Sequence, residues 1–168
     1  MDKFNTDLMD GKLGERIVMG IFNSYGFNLL DWNTNKEPAH IDPKGYDLKF
    51  DNGINVFTIE VKTDRYERFK GYTGNLFIEV KCNGNPSGLM ATKADYLIYY
   101  LPDLEQMWMI RVNKLKYIFK KIGGRLDRRG RSGDKGKVVG YLLPRSKFRR
   151  FFKVKKITKS SIGHYLFT

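Results

Sequence analysis

Apolar residues recur along this chain with two different periods. Leu13, Ile17, Val18, Ile21 and Tyr25 span one arc of a helix turning about 100° per residue, and Phe22 extends the arc. The pattern predicts a helix over residues 11–25, with Asp10 as its N-cap and Gly26 just past its end. From Gly45 the period shortens to two. Gly45 to Phe50 reads as a strand, Asp51-Asn52-Gly53 as a hairpin turn that tolerates positive φ, and Val56 to Lys62 as the returning strand. Alternation puts Thr58, Glu60 and Lys62 on one face of that strand and Phe57, Ile59 and Val61 on the other. A two-residue Asn52-Gly53 turn would pair Asp51 with Ile54 and set Asp47 opposite Thr58, on the same face as Glu60 and diagonal to it. Tyr46, Leu48, Phe50, Phe57, Ile59 and Val61 would bury the other face and fix the register, because a slip of one residue inverts every side chain.

Further along, residues 75–81 read as a strand, Asn83 to Gly88 as a run of breakers, and residues 87–93 as a short helix. Asp95 to Leu101 is a buried strand ended by Pro102, and Gln106 to Val112 is another. Asn113 can cap a helix over Lys114 to Ile122. Trp32 to Pro38 reads as a loop leading to the hairpin, and Thr63 to Tyr72 as a polar connection. Gly123 to Lys137 reads as a flexible, glycine-rich basic loop, and Val138 to Leu143 as a strand. This order predicts an α/β fold with a mixed central sheet flanked by helices. One domain is expected, with a core over residues 1–112 and a basic C-terminal extension, residues 113–168, packed on it.

Charge changes the picture more than composition does. The net charge of +13 is unevenly placed. Residues 1–100 carry 12 Lys and Arg against 14 Asp and Glu, whereas residues 101–168 carry 19 against 4. An excess confined to the last third points to a polyanionic partner. The basic residues that could meet phosphates are Arg125, Arg128, Arg129, Arg131, Lys135 and Lys137 in the glycine-rich segment, and Arg145, Lys147, Arg149 and Arg150 in the following one. In that second stretch Phe148, Phe151 and Phe152 are interleaved, to stack on unpaired bases or to fill the core. The glycine-rich segment does not meet the P-loop pattern, because Gly136-Lys137 is followed by Val138. Cys82 is the sole cysteine, which excludes disulfide frameworks and Cys-rich zinc sites. His40 and His164 are too few for a His-rich metal site. The polar, acidic start of the chain is unlike a secretory signal, and no apolar run reaches a membrane-spanning length.

The candidate chemistry sits on the hairpin. Asp47 and Glu60 could share a divalent cation, with Lys62 on the same face to meet a phosphate. Alternating charge on a half-solvated strand is the plainer reading of an E-x-K, but the hairpin-spaced aspartate, the apolar opposite face and the charge distribution favour a site. A second E-x-K, Glu79-Val80-Lys81, lacks an aspartate on a preceding partner. Glu79 could also add a carboxylate to the first site. Lys93 and Asp95 could approach it, though a turn leading into the next strand explains them more simply.

These residues resemble the PD-(D/E)xK nuclease superfamily, across roughly residues 10–112. Asp47 takes the place of that motif's aspartate, Glu60 of its acidic residue and Lys62 of its lysine, while Gly45-Tyr46 stands where the motif's name has proline. Within the superfamily the arrangement is most similar to Holliday junction resolvases of archaea and phages, which place a metal-binding glutamate on the first helix, where this chain has Glu15. The resemblance implies a restriction-endonuclease-like core and an Mg²⁺-dependent DNA endonuclease, with Mn²⁺ able to substitute. It implies metal ligands from Asp47, Glu60, the Val61 carbonyl and Glu15, with branched DNA as partner. It further implies a homodimer, since paired cuts need two sites, and a place in the cytoplasm of a microbial or phage-infected cell. By geometry Glu15 falls at the edge of the apolar arc, where it could lean over a sheet edge or simply favour the helix N-terminus. A restriction- or repair-type nuclease, an RNA nuclease and a non-catalytic nucleic-acid-binding protein are the alternatives.

Overall fold

The computed structural model describes residues 3–34, 42, 44–64, 74–133 and 136–157. Helix α1 (Lys3–Ser24) leads into β1 (Asn28–Trp32), β2 (Leu48–Asp51), β3 (Val56–Thr63) and β4 (Asn75–Cys82). There follow β5 (Asn85–Pro86), β6 (Tyr96–Leu101), β7 (Gln106–Arg111) and α2 (Val112–Ile122), then β8 (Asp127–Gly133), β9 (Gly136–Pro144), α3 (Arg145–Phe148) and β10 (Lys153–Lys156). The strands form two sheets. A six-stranded mixed sheet has the order β1-β2-β3-β6-β7-β10, and a four-stranded antiparallel sheet the order β5-β4-β9-β8. Only β3 and β6 pair in parallel among the described strands. The α/β class with a mixed central sheet flanked by helices is thus the architecture found.

Each face of the central sheet is buried for a different reason. On one face α1 lays Ile17, Val18, Ile21 and Phe22 against Leu48, Phe50, Ile59, Val61, Ile98 and Tyr100. Phe22, Phe50 and Phe57 stack there with centroids 5.2–6.0 Å apart. On the other face Leu97, Tyr99, Trp108 and Ile110 meet Leu76, Ile78, Val80 and Leu143 of the second sheet and Val112 and Leu115 of α2. The fold is therefore a helix, a sheet and a second sheet in layers. Residues after 112 supply strands to both sheets, since β9 pairs with β4 and β10 with β7. No helix among the described residues is long and apolar enough to cross a membrane.

The helix approaches β3 most closely at Gly14, where a Cβ would collide with the Thr63 hydroxyl. Thr63 Oγ1 is buried there with no hydrogen-bond partner among the described residues. Gly26, at φ +80°, ends α1 and allows Gly26 N–H to bond Asn23 O at 2.8 Å and Phe27 N–H to bond Phe22 O at 3.2 Å.

Several elements depart from the pattern-based expectation. Helix α1 starts at Lys3, so Asp10 lies inside it rather than capping it. Trp32 closes a strand instead of opening a loop. The hairpin turn has four residues, not two, because Asn52 Oδ1 accepts the N–H groups of Ile54 (3.0 Å) and Asn55 (2.8 Å) and Asp51 Oδ1 that of Gly53 (2.8 Å). Asp51 consequently pairs with Val56, and Lys49, not Asp47, lies opposite Thr58. Residues 87–93 form a turn rather than a helix. Arg111, not Asn113, caps α2. The glycine-rich basic segment is largely a strand, β8, with Arg128 opposite Tyr141 and Arg129 opposite Gly140. Tyr46 leaves the helix side and packs with the second core. His40, His164, Lys135 and most of the Thr63–Tyr72 connection lie outside the described residues.

Candidate active site

The longer turn improves the site. Leu48 faces Ile59, so Asp47, one residue earlier, comes level with Glu60. The slip of two residues relative to a two-residue turn preserves every face. Asp47 is 6% exposed. Its backbone N–H donates to Ile59 O at 2.9 Å, and its Oδ2 accepts the Val61 N–H at 2.7 Å. A side-chain oxygen thus replaces a backbone acceptor in β3, which locks the carboxylate against the strand that carries Glu60 and Lys62. Asn33 holds the preceding chain, donating its N–H to Asp47 O at 2.8 Å and its Nδ2 to Tyr46 O at 3.1 Å.

Lys62 Nζ stands 2.7 Å from Glu60 Oε1. Glu60, with Asp47 and Glu79 beside it, holds the Lys62 ammonium well above the usual lysine range despite the opposing cost of burial. Lys62 is thus a cation held against these carboxylates, placed to meet further negative charge. Thr92, buried at the turn before β6, donates to Gly45 O at 3.1 Å and lies 3.5 Å from Glu60 Oε2.

Lys62 opens on a cleft of about 160 Å³ between the sheets, lined also by Asp64, Phe77, Glu79, Leu89 and Tyr99. Glu79, from the second E-x-K, therefore reaches the first site from the other sheet. Ser87 Oγ donates to Glu79 Oε1, and Leu89 N–H to Glu79 O at 2.9 Å. Gly88, at φ +50°, makes this possible, because a Cβ there would press on the Glu79 carbonyl. Lys81 does not follow Glu79 into the cleft: the ladder shifts between them and Lys81 is exposed. Burial drives the Tyr99 phenol upward, and its hydroxyl donates to Phe77 O at 3.0 Å.

Glu15 is buried, and its Oε2 accepts the Trp32 Nε1–H at 2.8 Å. Among the described residues no group of three His, Cys, Asp or Glu side chains is gathered where it could hold one ion. Asp47 lies level with Glu60 across the β2–β3 hairpin, and Glu15 is joined to β1 through Trp32. Hard carboxylate oxygens in twos suit Mg²⁺, which keeps several waters and takes few protein ligands. Lys93 and Asp95 lie at the turn into β6, where Asp95 Oδ2 accepts from Thr58 N (2.8 Å) and Oγ1 (2.9 Å).

The basic residues divide into three kinds. Arg125 ahead of β8, Arg128 and Arg129 on that edge strand and Lys137 on β9 are exposed, and Arg129 is paired with Asp127 at 2.6 Å. Arg131 continues that strand. Arg145 is buried, its guanidinium 5.7 Å from the Trp108 ring centroid and its Nε donating to Gly74 O at 3.3 Å, so it packs the core rather than facing solvent. Lys147, Arg149 and Arg150 are exposed. Phe152 is in the core, while Phe148 and Phe151 pair at 6.0 Å, half-buried. Sequence reasoning missed Trp32, Ser87, Thr92 and Tyr99; the breaker run around Ser87-Gly88 was the available signal for one of them.

No family model matches the chain, and no curated protein does. Among solved structures the chain is similar to a bacterial homing endonuclease, with 17% identity and a TM-score of 0.45 over 63% of this chain and 69% of that one.

Proposed function

We propose that the protein is a metal-dependent DNA endonuclease that hydrolyses phosphodiester bonds at the Asp47–Glu60–Lys62 cleft. The observation that carries the reading is two carboxylates level with each other, Asp47 just ahead of β2 and Glu60 on β3, with the Lys62 ammonium 2.7 Å from Glu60 and itself lining a cleft between the two sheets. Asp47 and Glu60 would hold Mg²⁺, or Mn²⁺ in its place, with the Val61 carbonyl as a further ligand and Glu15 linked through water. A bound divalent cation supplies Lewis acidity and a more acidic water. The chain's own part is positional and electrostatic. Asp47, fixed by the Val61 N–H, sets the first carboxylate. Glu60 and Lys62 place opposite charges side by side, so that Lys62 can follow the charge that develops on a phosphate. The basic edge of β8 and the segment around α3 would hold the polyanion.

Within this reading the substrate is branched DNA and the working unit a homodimer, in keeping with the likeness of Glu15, Asp47, Glu60 and Lys62 to the junction-resolvase pattern. The test is cleavage of four-way junction, flap, duplex and single-stranded DNA, and of RNA, with and without Mg²⁺. Metal-dependent cutting of DNA that disappears in Glu60→Gln is the expected result. Binding without cutting across the whole panel would sink the reading.

A further inference from the structure

A second basic feature lies on the same face of the central sheet as Lys62. Register defines its place: Lys62 on β3 is level with Tyr99 on β6, Tyr99 with Trp108 on β7, and Trp108 with Val154 on β10. Level residues on neighbouring strands share a face. The row that begins at the site lysine therefore ends at Val154, on an open cavity of about 590 Å³ lined by Ser146, Lys147, Arg149, Arg150, Phe152 and Val154. Three strand spacings put the two ends of the row roughly 14 Å apart.

The cavity has three cations and no acidic residue in its lining. Among the described residues none of Lys147, Arg149 and Arg150 has a carboxylate partner. Two of them are also held in place. The Arg149 guanidinium lies 5.6 Å from the Trp108 ring centroid, on the ring that Arg145 also packs, and the Arg150 guanidinium 4.9 Å from that of Phe151. A solvated edge guarded by lysines needs no such ordering. Positioned, unpaired guanidiniums over a small open cavity are suited to bidentate contact with phosphate oxygens.

We infer that this cavity is a second, non-catalytic phosphate site that anchors the substrate backbone about 14 Å from the scissile phosphate. The inference rests on the endonuclease reading for the identity of the polyanion. Tyr99 and Trp108, in the middle of the row, are buried beneath the second sheet, so the backbone passes around them, and at a rise of about 3.4 Å per nucleotide along one strand the anchor lies at least about four nucleotides from the cut. A duplex too short to span that distance reaches the cleft without reaching the anchor.

The experiment measures binding to linear duplexes of stepwise length in Ca²⁺, and cleavage of the same duplexes in Mg²⁺. The wild type is compared with Lys147→Gln/Arg150→Gln, which leaves Arg149 on Trp108, and with the charge-conserving Lys147→Arg/Arg150→Lys. Wild type and the charge-conserving variant should show a step in affinity once the duplex spans the anchor. The Gln variant should lose the step, and its plot of log affinity against log salt should be shallower by about two units. Half-maximal cleavage of duplexes that span the anchor should need more of the Gln variant than of the wild type. An unaltered step and slope in the Gln variant overturn the anchor while leaving the endonuclease reading intact. A step that vanishes in the Gln variant, in a protein that cuts nothing, supports the anchor and removes the endonuclease reading.

Discussion

Asp47 Oδ2 accepts the backbone N–H of Val61 at 2.7 Å, so the first carboxylate of the site is also a hydrogen-bond acceptor for the strand that carries the other two site residues. The two duties separate in mutants. Asp47→Asn can keep an oxygen on Val61 N–H and should retain stability, whereas Asp47→Ala leaves a buried donor unpaired and should lose about 1–3 kcal/mol. Both should lower cleavage by roughly a hundredfold or more, as Glu60→Gln should, with nucleic-acid binding retained. Denaturant melts and single-turnover cleavage distinguish the two effects. Full cleavage by purified Asp47→Asn would move the chemistry elsewhere.

The two lysines of the duplicated E-x-K are not equivalent. Lys62 stands among Glu60, Asp47 and Glu79, while Lys81 lies exposed past a shift in its ladder. Lys62→Ala should slow cleavage by about two orders of magnitude, and Lys81→Ala by only a few-fold. Ser87→Ala frees the Glu79 carboxylate and should have an intermediate effect. The reverse order for the two lysines would assign the site to the second sheet.

Gly14→Ala is expected to destabilise the protein although it sits in a helix. Helix propensity alone favours alanine by about 1 kcal/mol. Overpacking against Thr63, whose nearest carbon would stand 3.1 Å from the new Cβ, costs about 1–3 kcal/mol. Thr63→Ala removes a buried hydroxyl that has no partner among the described residues and should be neutral or stabilising. The double variant should recover part of the loss. Additive free energies in that double-mutant cycle would mean that the two residues do not press on each other.

The Asp31–Lys44 pair braces the chain ahead of Asp47, with Lys44 Nζ 2.8 Å from Asp31 Oδ2 and the Tyr46 hydroxyl 3.0 Å from the same oxygen. Lys44 holds the Asp31 carboxyl below its ordinary range. A depressed carboxyl contributes stability above its unfolded value, and that contribution fades as pH falls below about 4. Asp31→Asn should therefore lower the urea midpoint slightly at pH 7 and by less near pH 3. Solvent screening keeps the effect small. An equal shift at both pH values would assign it to packing instead.

Replacing Arg125, just ahead of β8, and Arg128 and Arg131 on it with Ala should weaken nucleic-acid binding about equally for all sequences. If these cations meet phosphates rather than bases, the salt dependence should become shallower by two to three units. Arg129 should matter less, because Asp127 already holds it. A salt titration of binding in Ca²⁺ reads both effects, and parallel slopes would mean that the edge is merely solvated.

What was legible in the sequence follows from what the pattern encodes. The β3 alternation was clear because one face is core and the other is the site, so Glu60 and Lys62 could be placed by period alone. The register was misjudged because Asn-Gly signals a two-residue turn, while the Asn52 side chain organises a four-residue one. Strand β8 was hidden because glycine and arginine carry no apolar alternation, and its pairing with β9 is decided by the partner strand. Glu79's approach to Lys62 stood in the sequence only as one option among several, because it depends on two sheets meeting and no local spacing records that.

The positions of β9 and β10 set an order of events on the ribosome. Leu76 and Ile78 wait for a partner strand until Gly136–Pro144 has been synthesised, and the edge of β7 waits for Lys153–Lys156. These are long-range pairings, slow to close and exposed until they do. The same late stretch brings the cations. A nascent chain thus gains its finished layers and its cationic surface together, and in an unfinished one the cleft is not closed.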